Sequence, residues 1–186
     1  MLKKYILFIP CLLILGSLQA QDSPTRNFNI GVEAQQYPTG FLLGVRSEIG
    51  WKNHHALNIR VGYNLLDHQD FGVHEEEIGG GFGFTLGYSY YFKPQNHGWF
   101  LGVRNDFWFN EVDWKDNIGE AEELRGTSNI IVLQPTIIGG YQFLLKNQVT
   151  ITPTLAFGAE INIKTEGEEV GQGSILLWGL NLGYQF

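Results

Sequence analysis

The sequence has little cysteine and little positive charge. Its 186 residues include one cysteine, Cys11, and 12 Lys+Arg against 19 Asp+Glu, for a formal net charge of −7. A single cysteine excludes an intramolecular disulfide framework, and the missing basic cluster excludes the electrostatic footprint of a nucleic-acid-binding protein. Charged residues make up only 17%, whereas 24 glycines and 14% aromatic residues indicate β-structure in one domain.

Long apolar runs are also missing. After residue 20 no stretch is apolar for the ~18 residues that predict a transmembrane helix. Residues 1–20 have the pattern of a secretory signal peptide, with Lys3 and Lys4, an apolar run from Tyr5 to Leu15, and small Ala20 before the predicted cleavage point. The predicted mature chain, residues 21–186, contains no cysteine, which excludes thiolate nucleophiles and thiolate metal sites.

Apolar and polar residues alternate with a period of two along most of the mature chain. The alternation is clearest from Val149 to Lys164 and from Gly81 to Phe92. The connections between such segments alternate between short and long, which is typical of a transmembrane barrel with turns at one rim and loops at the other. We therefore predict an all-β fold, a closed, eight-stranded, antiparallel, up-and-down transmembrane β-barrel. The predicted strands are Phe28 to Tyr37, Phe41 to Trp51, His55 to Leu66, Gly79 to Phe92, Trp99 to Glu111, Asn129 to Leu144, Gln148 to Lys164 and Gly173 to Phe186.

The polarity of the two strand faces distinguishes a membrane barrel from a soluble lipocalin-like cup. The polar face is rich in glycine and poor in charge, which suits a narrow lumen better than a water-facing exterior. The apolar face is then predicted to meet lipid, with amphipathic rings at the interfaces. The rings predicted at the short-turn rim are Trp51, Tyr90, Phe92, Trp99, Tyr141, Phe143, Tyr184 and Phe186, and those near the long-loop rim are Phe41, Tyr63, Phe82, Phe84, Phe107 and Phe109.

The C-terminal strand has the most specific pattern, an alternating apolar series that ends on an aromatic residue. Its members are Trp178, Leu180, Leu182, Tyr184 and Phe186. With this segment the mature chain resembles small outer-membrane β-barrels of the OmpA/OmpX type over its whole length. The resemblance implies that the five residues form an assembly signal for the barrel-insertion machinery. It also implies the outer membrane of a Gram-negative bacterium, with short turns in the periplasm and long loops outside.

Eight charged residues are predicted to face the lumen, four acids and four bases. Isolated buried charges are costly, so we expect them to pair and plug the interior. A proton or ion path through the same residues is the alternative. The predicted lumen charges are Glu33, Arg46, Glu48, Arg60, Arg104, Asp106, Glu160 and Lys164.

The long connections are strongly acidic. Carboxylates and imidazoles at such positions could take divalent cations or a cationic partner, but their spacing matches no EF-hand or HExxH motif. The residues concerned are Asp67, His68, Asp70, His74, Glu75, Glu76, Glu77, Glu111, Asp113, Asp116, Glu120, Glu122, Glu123, Glu166, Glu168 and Glu169.

No catalytic, cofactor or metal motif is present in the sequence. A lipid-modifying enzyme would need a serine with a histidine and an acid, and only Ser128 and His74 are placed to approach each other. We expect a non-enzymatic barrel, embedded in outer-membrane lipid, that serves envelope structure or presents its acidic loops for binding. A narrow pore, a lipid-modifying enzyme and a soluble ligand-binding barrel are the alternatives.

Overall fold

The computed structural model describes residues 27–70 and 72–186, so the predicted signal peptide lies outside the described residues. Eight antiparallel strands follow one another in sequence order, and β1 pairs with β8 to close the barrel. The predicted fold class is confirmed. The strands are β1 Phe28–Tyr37, β2 Gly40–Trp51, β3 His55–Gln69, β4 Glu76–Lys93, β5 His97–Asp116, β6 Leu124–Leu144, β7 Val149–Glu166 and β8 Gly173–Gln185.

One turn of 3₁₀-helix, Lys146–Gln148, joins β6 to β7. In the part of the chain that the structure describes, no helix has the length and apolar character needed to cross a membrane.

Five strands extend further toward the long loops than the sequence predicts, among them β3, which ends at Gln69, and β7, which ends at Glu166. β4 begins at Glu76, β5 ends at Asp116 and β6 begins at Leu124. Cross-strand polar contacts hold these extensions together, including an ion pair between Lys115 and Glu76. The hairpins continue because backbone ladder hydrogen bonds do not require an apolar face, and the acidic segments predicted as loops therefore lie partly in strands.

The interior of the barrel contains the buried polar and charged side chains together with buried apolar ones such as Trp108 and Leu177, whereas the exterior is apolar. Buried and exposed residues alternate along each strand, as the pleat requires. The lumen is narrow enough to need glycine, because a Cβ on Gly83 would collide with the ring of Trp108. Bulky apolar side chains therefore fill the outer face instead, and Leu155, near the middle of β7, is 57% exposed.

Aromatic rings form clusters on the outer face at both ends of the barrel. At the short-turn end, Trp99 packs edge-on against Tyr141, with ring centroids 5.2 Å apart, and Tyr184 packs in the same way against Phe186 at 4.8 Å. Toward the long-loop end, Phe84 stacks on Phe107 at 5.1 Å. The rings therefore form contacts across neighbouring strands at both ends.

A β-bulge between β6 and β7 changes the predicted face of Lys164. Ile131 pairs with Lys164 while Val132 pairs with Asn162, so Ile163 is an extra residue in β7. The extra residue reverses the alternation beyond it. Lys164 lies outside, where it is 58% exposed and its Nζ lies 2.6 Å from Oε1 of Glu166, so its prediction as a lumen charge is wrong.

Candidate functional site

Six of the eight predicted lumen charges lie together in the barrel interior, and we call them the lumen cluster. Each is less than 9% exposed. They come from four strands that the closed barrel brings around one axis. The lumen cluster consists of Glu33 of β1, Arg46 and Glu48 of β2, Arg60 of β3, and Arg104 and Asp106 of β5.

Arg60 makes the largest number of contacts in the lumen cluster. Its Nη1 donates to Oε1 of Glu33 at 2.9 Å and its Nη2 to Oδ1 of Asp106 at 3.1 Å. Its Nε donates to Oγ1 of Thr85 at 3.0 Å, and its guanidinium carbon lies 5.6 Å from the centre of the Trp108 ring. Arg60 therefore links residues of β1, β4 and β5 across the lumen.

Glu33 is shared by all three arginines. Its carboxylate lies 3.7 Å from Arg46, 2.9 Å from Arg60 and 3.2 Å from Arg104. Glu48 pairs with Arg46 at 2.6 Å, and Asp106 pairs with both Arg60 and Arg104 at 3.1 Å. Three guanidiniums face three carboxylates, so the lumen cluster is neutral as a whole.

Little empty space remains within the lumen cluster. A void of about 20 Å³ lies among Glu33, Arg46, Arg60 and Arg104, enough for about one water molecule. Nη1 of Arg46 and Nε of Arg104 have no hydrogen-bond partner among the described residues. A water in a void of this size would suit such donors.

A turn residue folds into the short-turn end of the lumen. Asn96, between β4 and β5, has a φ of 52° and is only 2% exposed, so the turn folds inward. Its carbonyl oxygen accepts a hydrogen bond from Nε2 of Gln142 at 2.5 Å, and its Nδ2 lies 3.5 Å from Oε1 of Glu48. Sequence reasoning missed Asn96 because a polar turn residue is expected to be solvent-exposed, and the neighbouring turn residue Gln95 has the same left-handed conformation, so that only burial distinguishes Asn96.

Glu160 lies inside the barrel but apart from the lumen cluster. Its Oε2 accepts a hydrogen bond from Nε2 of Gln134 at 2.5 Å, and Oε1 of Gln134 accepts one from Nε1 of Trp108 at 2.9 Å. This layer separates Glu160 from the three arginines. The predicted single cluster is therefore two groups, because the lumen is long enough to hold several layers of side chains.

A cavity of about 360 Å³ opens toward the long loops, and we call it the mouth cavity. Its acidic and basic lining residues are Glu77, Glu160, Glu169 and His68. The apolar residues that line it are Pro38, Leu66, Val73, Val112, Ile130, Val170 and Ile175. Sequence reasoning did not predict this cavity, because it depends on how three connections meet.

Glu77 holds two of these connections together. It lies in β4 next to Ile78, whose cross-strand partners Asp67 and Asp113 are polar, at the end of the apolar outer surface. Its carboxylate accepts hydrogen bonds from the backbone N–H groups of His74 at 3.3 Å and Gly171 at 3.2 Å, and lies 3.3 Å from Nε2 of His68. Burial alone would raise the pKa of Glu77, but these hydrogen bonds outweigh burial and lower that pKa.

His74 is engaged in holding the loops and does not face a nucleophile. Its Nδ1 lies 2.8 Å from Oδ2 of Asp116, and its ring stacks on Trp114 with centroids 4.2 Å apart. The hydrogen bond with His74, together with one from the backbone N–H of Glu75, lowers the pKa of Asp116. Oγ of Ser128 donates to the carbonyl oxygen of Glu168 at 2.8 Å, which does not support the serine–histidine pair considered from sequence.

The residues of the predicted assembly signal lie on the outer face of the barrel, and their role in assembly stays a prediction. Trp178, Leu180, Leu182, Tyr184 and Phe186 all point outward from β8 or its end. Within the described ranges, no group of three or more His, Cys, Asp or Glu side chains is arranged to hold a metal ion. Cation binding by the acidic loops stays a prediction.

Comparison with known proteins finds the same fold at low sequence identity. The N-terminal β-barrel domain of Pseudomonas aeruginosa OprF aligns with a TM-score of 0.51 and 15% identity, covering 88% of this chain and 100% of that domain. The two chains share a fold. The predicted resemblance to small outer-membrane barrels is confirmed at that level.

Two further structures show weaker similarity. A major outer membrane protein from Thermus thermophilus has a TM-score of 0.49 and 16% identity, covering 87% of this chain and 99% of its own. The attachment invasion locus protein Ail of Yersinia pestis, in complex with the heparin analogue sucrose octasulfate, has a TM-score of 0.48 and 11% identity, covering 89% and 100%. No family model and no curated protein matches the sequence.

Replacing Arg60 with methionine tests the lumen cluster. Arg60→Met keeps an unbranched side chain but leaves Glu33 and Asp106 short of a partner, and breaking a buried ion pair costs about 3 to 5 kcal/mol. The free energy of unfolding in urea, measured on protein refolded in detergent, should fall by that amount. Arg125→Met is the control, because Arg125 is 68% exposed and its solvent-screened pair with Glu123 should contribute little to stability. Similar losses in both variants would contradict the network.

Acidification tests the role of Glu77 in holding the loops. A carboxyl group whose pKa is lowered by folding stabilises the fold above its unfolded value of 4.5, and this contribution disappears as the pH falls through the lower folded value. The protection factor of the Gly171 amide against hydrogen exchange should be constant from about pH 7 to 5 and fall below about pH 4. Glu77→Gln should lower it at neutral pH. Val61 and Phe84, paired within the barrel wall, are the reference amides. An unchanged Gly171 protection factor at pH 3 would show that the Glu77 carboxylate does not hold the loops together.

Proposed function

We propose that this chain is a non-enzymatic, integral outer-membrane β-barrel with a closed lumen, whose functional surface is the end that carries the long acidic loops. The observation that carries this proposal is a polar interior filled by paired charges inside an apolar exterior. This arrangement suits an envelope protein that contributes to membrane structure or presents its loops to an external partner.

The exterior supports a membrane location. Large apolar side chains are exposed along every strand, including Val61, Phe82, Leu101, Ile137 and Leu180. A soluble protein rarely exposes a contiguous apolar surface of more than a few hundred Å². A soluble lipocalin-like cup would also need an apolar interior for its ligand, whereas the middle of this lumen contains three arginines and three carboxylates.

The outer membrane is favoured by the barrel itself and by the ends of the chain. Membranes are crossed by helices or by closed barrels, because these satisfy every backbone hydrogen bond internally. The predicted signal peptide would deliver the chain to the envelope, and the outward-facing series from Trp178 to Phe186 is available to barrel-insertion machinery. In this orientation the short turns lie in the periplasm and the mouth cavity opens outside the cell.

The lumen argues against a pore. Asn96 folds into one end, and the paired charges of the lumen cluster leave a void of about 20 Å³ among them. An ion would need to break both barriers in series. The closed lumen therefore supports a structural or binding role over conduction.

The geometry also argues against hydrolytic catalysis. Of the serine and histidine considered from sequence, Ser128 donates to a backbone carbonyl and His74 pairs with Asp116. The loops instead offer carboxylates to the exterior, among them the exposed Glu120, Glu122 and Glu168. An acidic surface of this kind favours cationic partners.

A pair of leucine-to-arginine variants tests the membrane location. Leu155 lies in the middle of the outward-facing residues of β7, whereas Leu65 is the last outward-facing apolar residue of β3 before Asp67. Leu155→Arg should lower the free energy of unfolding in lipid bilayers by about 2 to 4 kcal/mol, because it places a charge near the midplane, and Leu65→Arg by about 0 to 1 kcal/mol. Equal losses in the two variants would argue against a spanning barrel.

Planar-bilayer recording tests the closed lumen. The refolded mature protein, checked for folding by its heat-dependent gel mobility, should give no discrete current. Asn96→Gly should also be silent, because the lumen cluster remains in place when the turn is loosened. Reproducible discrete conductance of the unmodified protein would overturn the non-conducting role and identify Arg46, Arg60, Arg104 and Asp106 as residues that line the path.

A further inference from the structure

We infer that the mouth cavity is a binding site for a small organic cation that carries an apolar group, such as a cyclic or branched aliphatic amine. The inference rests on the proposed function only for the location of the cavity outside the cell. The site itself is argued from its shape, its apolar walls and the charges that face it.

The cavity has the form of a ligand pocket. Its volume of about 360 Å³ falls within the range of about 300 to 1,000 Å³ that is typical of small-molecule sites. The hydrogen-bonded layer of Trp108, Gln134 and Glu160 lies below it. The connections between β3 and β4 and between β7 and β8 form part of its lining, and Glu77 ties them together. The entrance is therefore held by specific contacts.

The walls offer an apolar surface to the ligand. Leu66, Val112 and Ile130 line the cavity from the barrel strands, and Val170 lies on the connection above them. These side chains are themselves almost fully buried. A ligand with an aliphatic body would bury its apolar surface against these walls.

The polar lining is acidic. Glu77, Glu160 and Glu169 face one histidine, and no lysine or arginine is among the described residues that line the cavity. Glu77 is committed to His68 and to backbone N–H groups, but Glu160 makes no ion pair among the described residues and is hydrogen-bonded to Gln134 alone. Glu160 is 9% exposed, and a buried carboxylate without a counter-charge is costly. A cation in the cavity would supply that counter-charge.

His68 provides a second, independent indication. Its side chain is 6% exposed, its Nε2 lies 3.3 Å from Oε2 of Glu77, and its Nδ1 has no hydrogen-bond partner among the described residues. When Nε2 carries the hydrogen that faces the carboxylate, Nδ1 is an acceptor. The carboxylate of Glu160 is therefore the acceptor that the cavity presents to a ligand that brings donors, and Nδ1 of His68 is a buried acceptor of the same wall that still has no partner among the described residues.

Other ligand classes fit these features less well. An anion of the same size would meet Glu160 and Glu169 as like charges. A neutral apolar molecule would contact the apolar walls but leave the Glu160 carboxylate without a cation. An inorganic cation would pair with the carboxylate but leave the apolar walls empty, and the described residues form no metal-binding group of three or more acidic, histidine or cysteine side chains.

Three probes of nearly equal shape test the inference. Cyclohexylammonium, cyclohexanol and cyclohexanecarboxylate are titrated at pH 7 into the mature protein refolded in zwitterionic micelles, and binding is followed by the amide shifts of Val170 and Gly171, with empty micelles as the blank. We expect cyclohexylammonium to bind at least tenfold more tightly than the other two probes. Equal affinity of the three probes, or no saturable shift with any of them, would overturn the inference.

Matched variants locate the binding. Glu160→Gln keeps the size of the side chain and should weaken cyclohexylammonium at least tenfold, whereas Glu122→Gln removes a loop charge away from the cavity lining and should leave the affinity unchanged. Ile175→Phe should weaken the binding of cyclohexylammonium by filling part of the cavity. Heat-dependent mobility and the β-barrel amide spectrum verify that each variant is folded. Equal effects of Glu160→Gln and Glu122→Gln would show general attraction to acidic loops and overturn the site.

The two proposals can fail separately. Binding in micelles depends neither on the cellular location of the barrel nor on conductance. Discrete currents together with cyclohexylammonium binding would overturn the closed lumen and support the mouth cavity. A silent barrel that binds no probe would overturn the mouth cavity and support the closed lumen.

Discussion

The arrangement of three guanidiniums around Glu33 is the constraint on which the rest of the barrel depends. A lumen of eight strands leaves room for side chains and little else, so the six charges of the lumen cluster have their counter-charges at contact distance. The shared carboxylate brings Arg46, Arg60 and Arg104 together across the interior. Since these residues come from β2, β3 and β5, their pairing is satisfied only when the strands have their native stagger.

The two ends of the barrel are built on different principles. At the short-turn end the chain folds back into the lumen, where Asn96 is hydrogen-bonded to Gln142 and Glu48. At the long-loop end the strands continue beyond the apolar belt, and Glu77 and Asp116 hold separate connections through backbone and side-chain hydrogen bonds. An inward-folded turn therefore occupies one end, and the other end has a cavity lined by strands and loops.

Alternation along the strands was sufficient to predict the barrel and most of its interior. Arg60 and Asp106 could be placed inside because a period of two is unambiguous in a regular strand. Lys164 could not, since one inserted residue, Ile163, reverses the pattern and leaves no mark in composition. The separation of Glu160 from the arginines and the mouth cavity could not be predicted either. Both depend on how distant strands and loops meet, which no local pattern encodes.

The inward-folded turn between β4 and β5 has a consequence for how the molecule is assembled. The partners of Asn96 are 46 and 48 residues away in sequence, on β6 and β2, so its contacts form only after the sheet has curled through most of its circumference. Contacts of such long range contribute late, because the entropy of closing the intervening chain has to be offset first. Burial of Asn96 therefore requires that β2 and β6 have come together around the turn. An open sheet in which only neighbouring strands are correctly paired would leave Asn96 exposed.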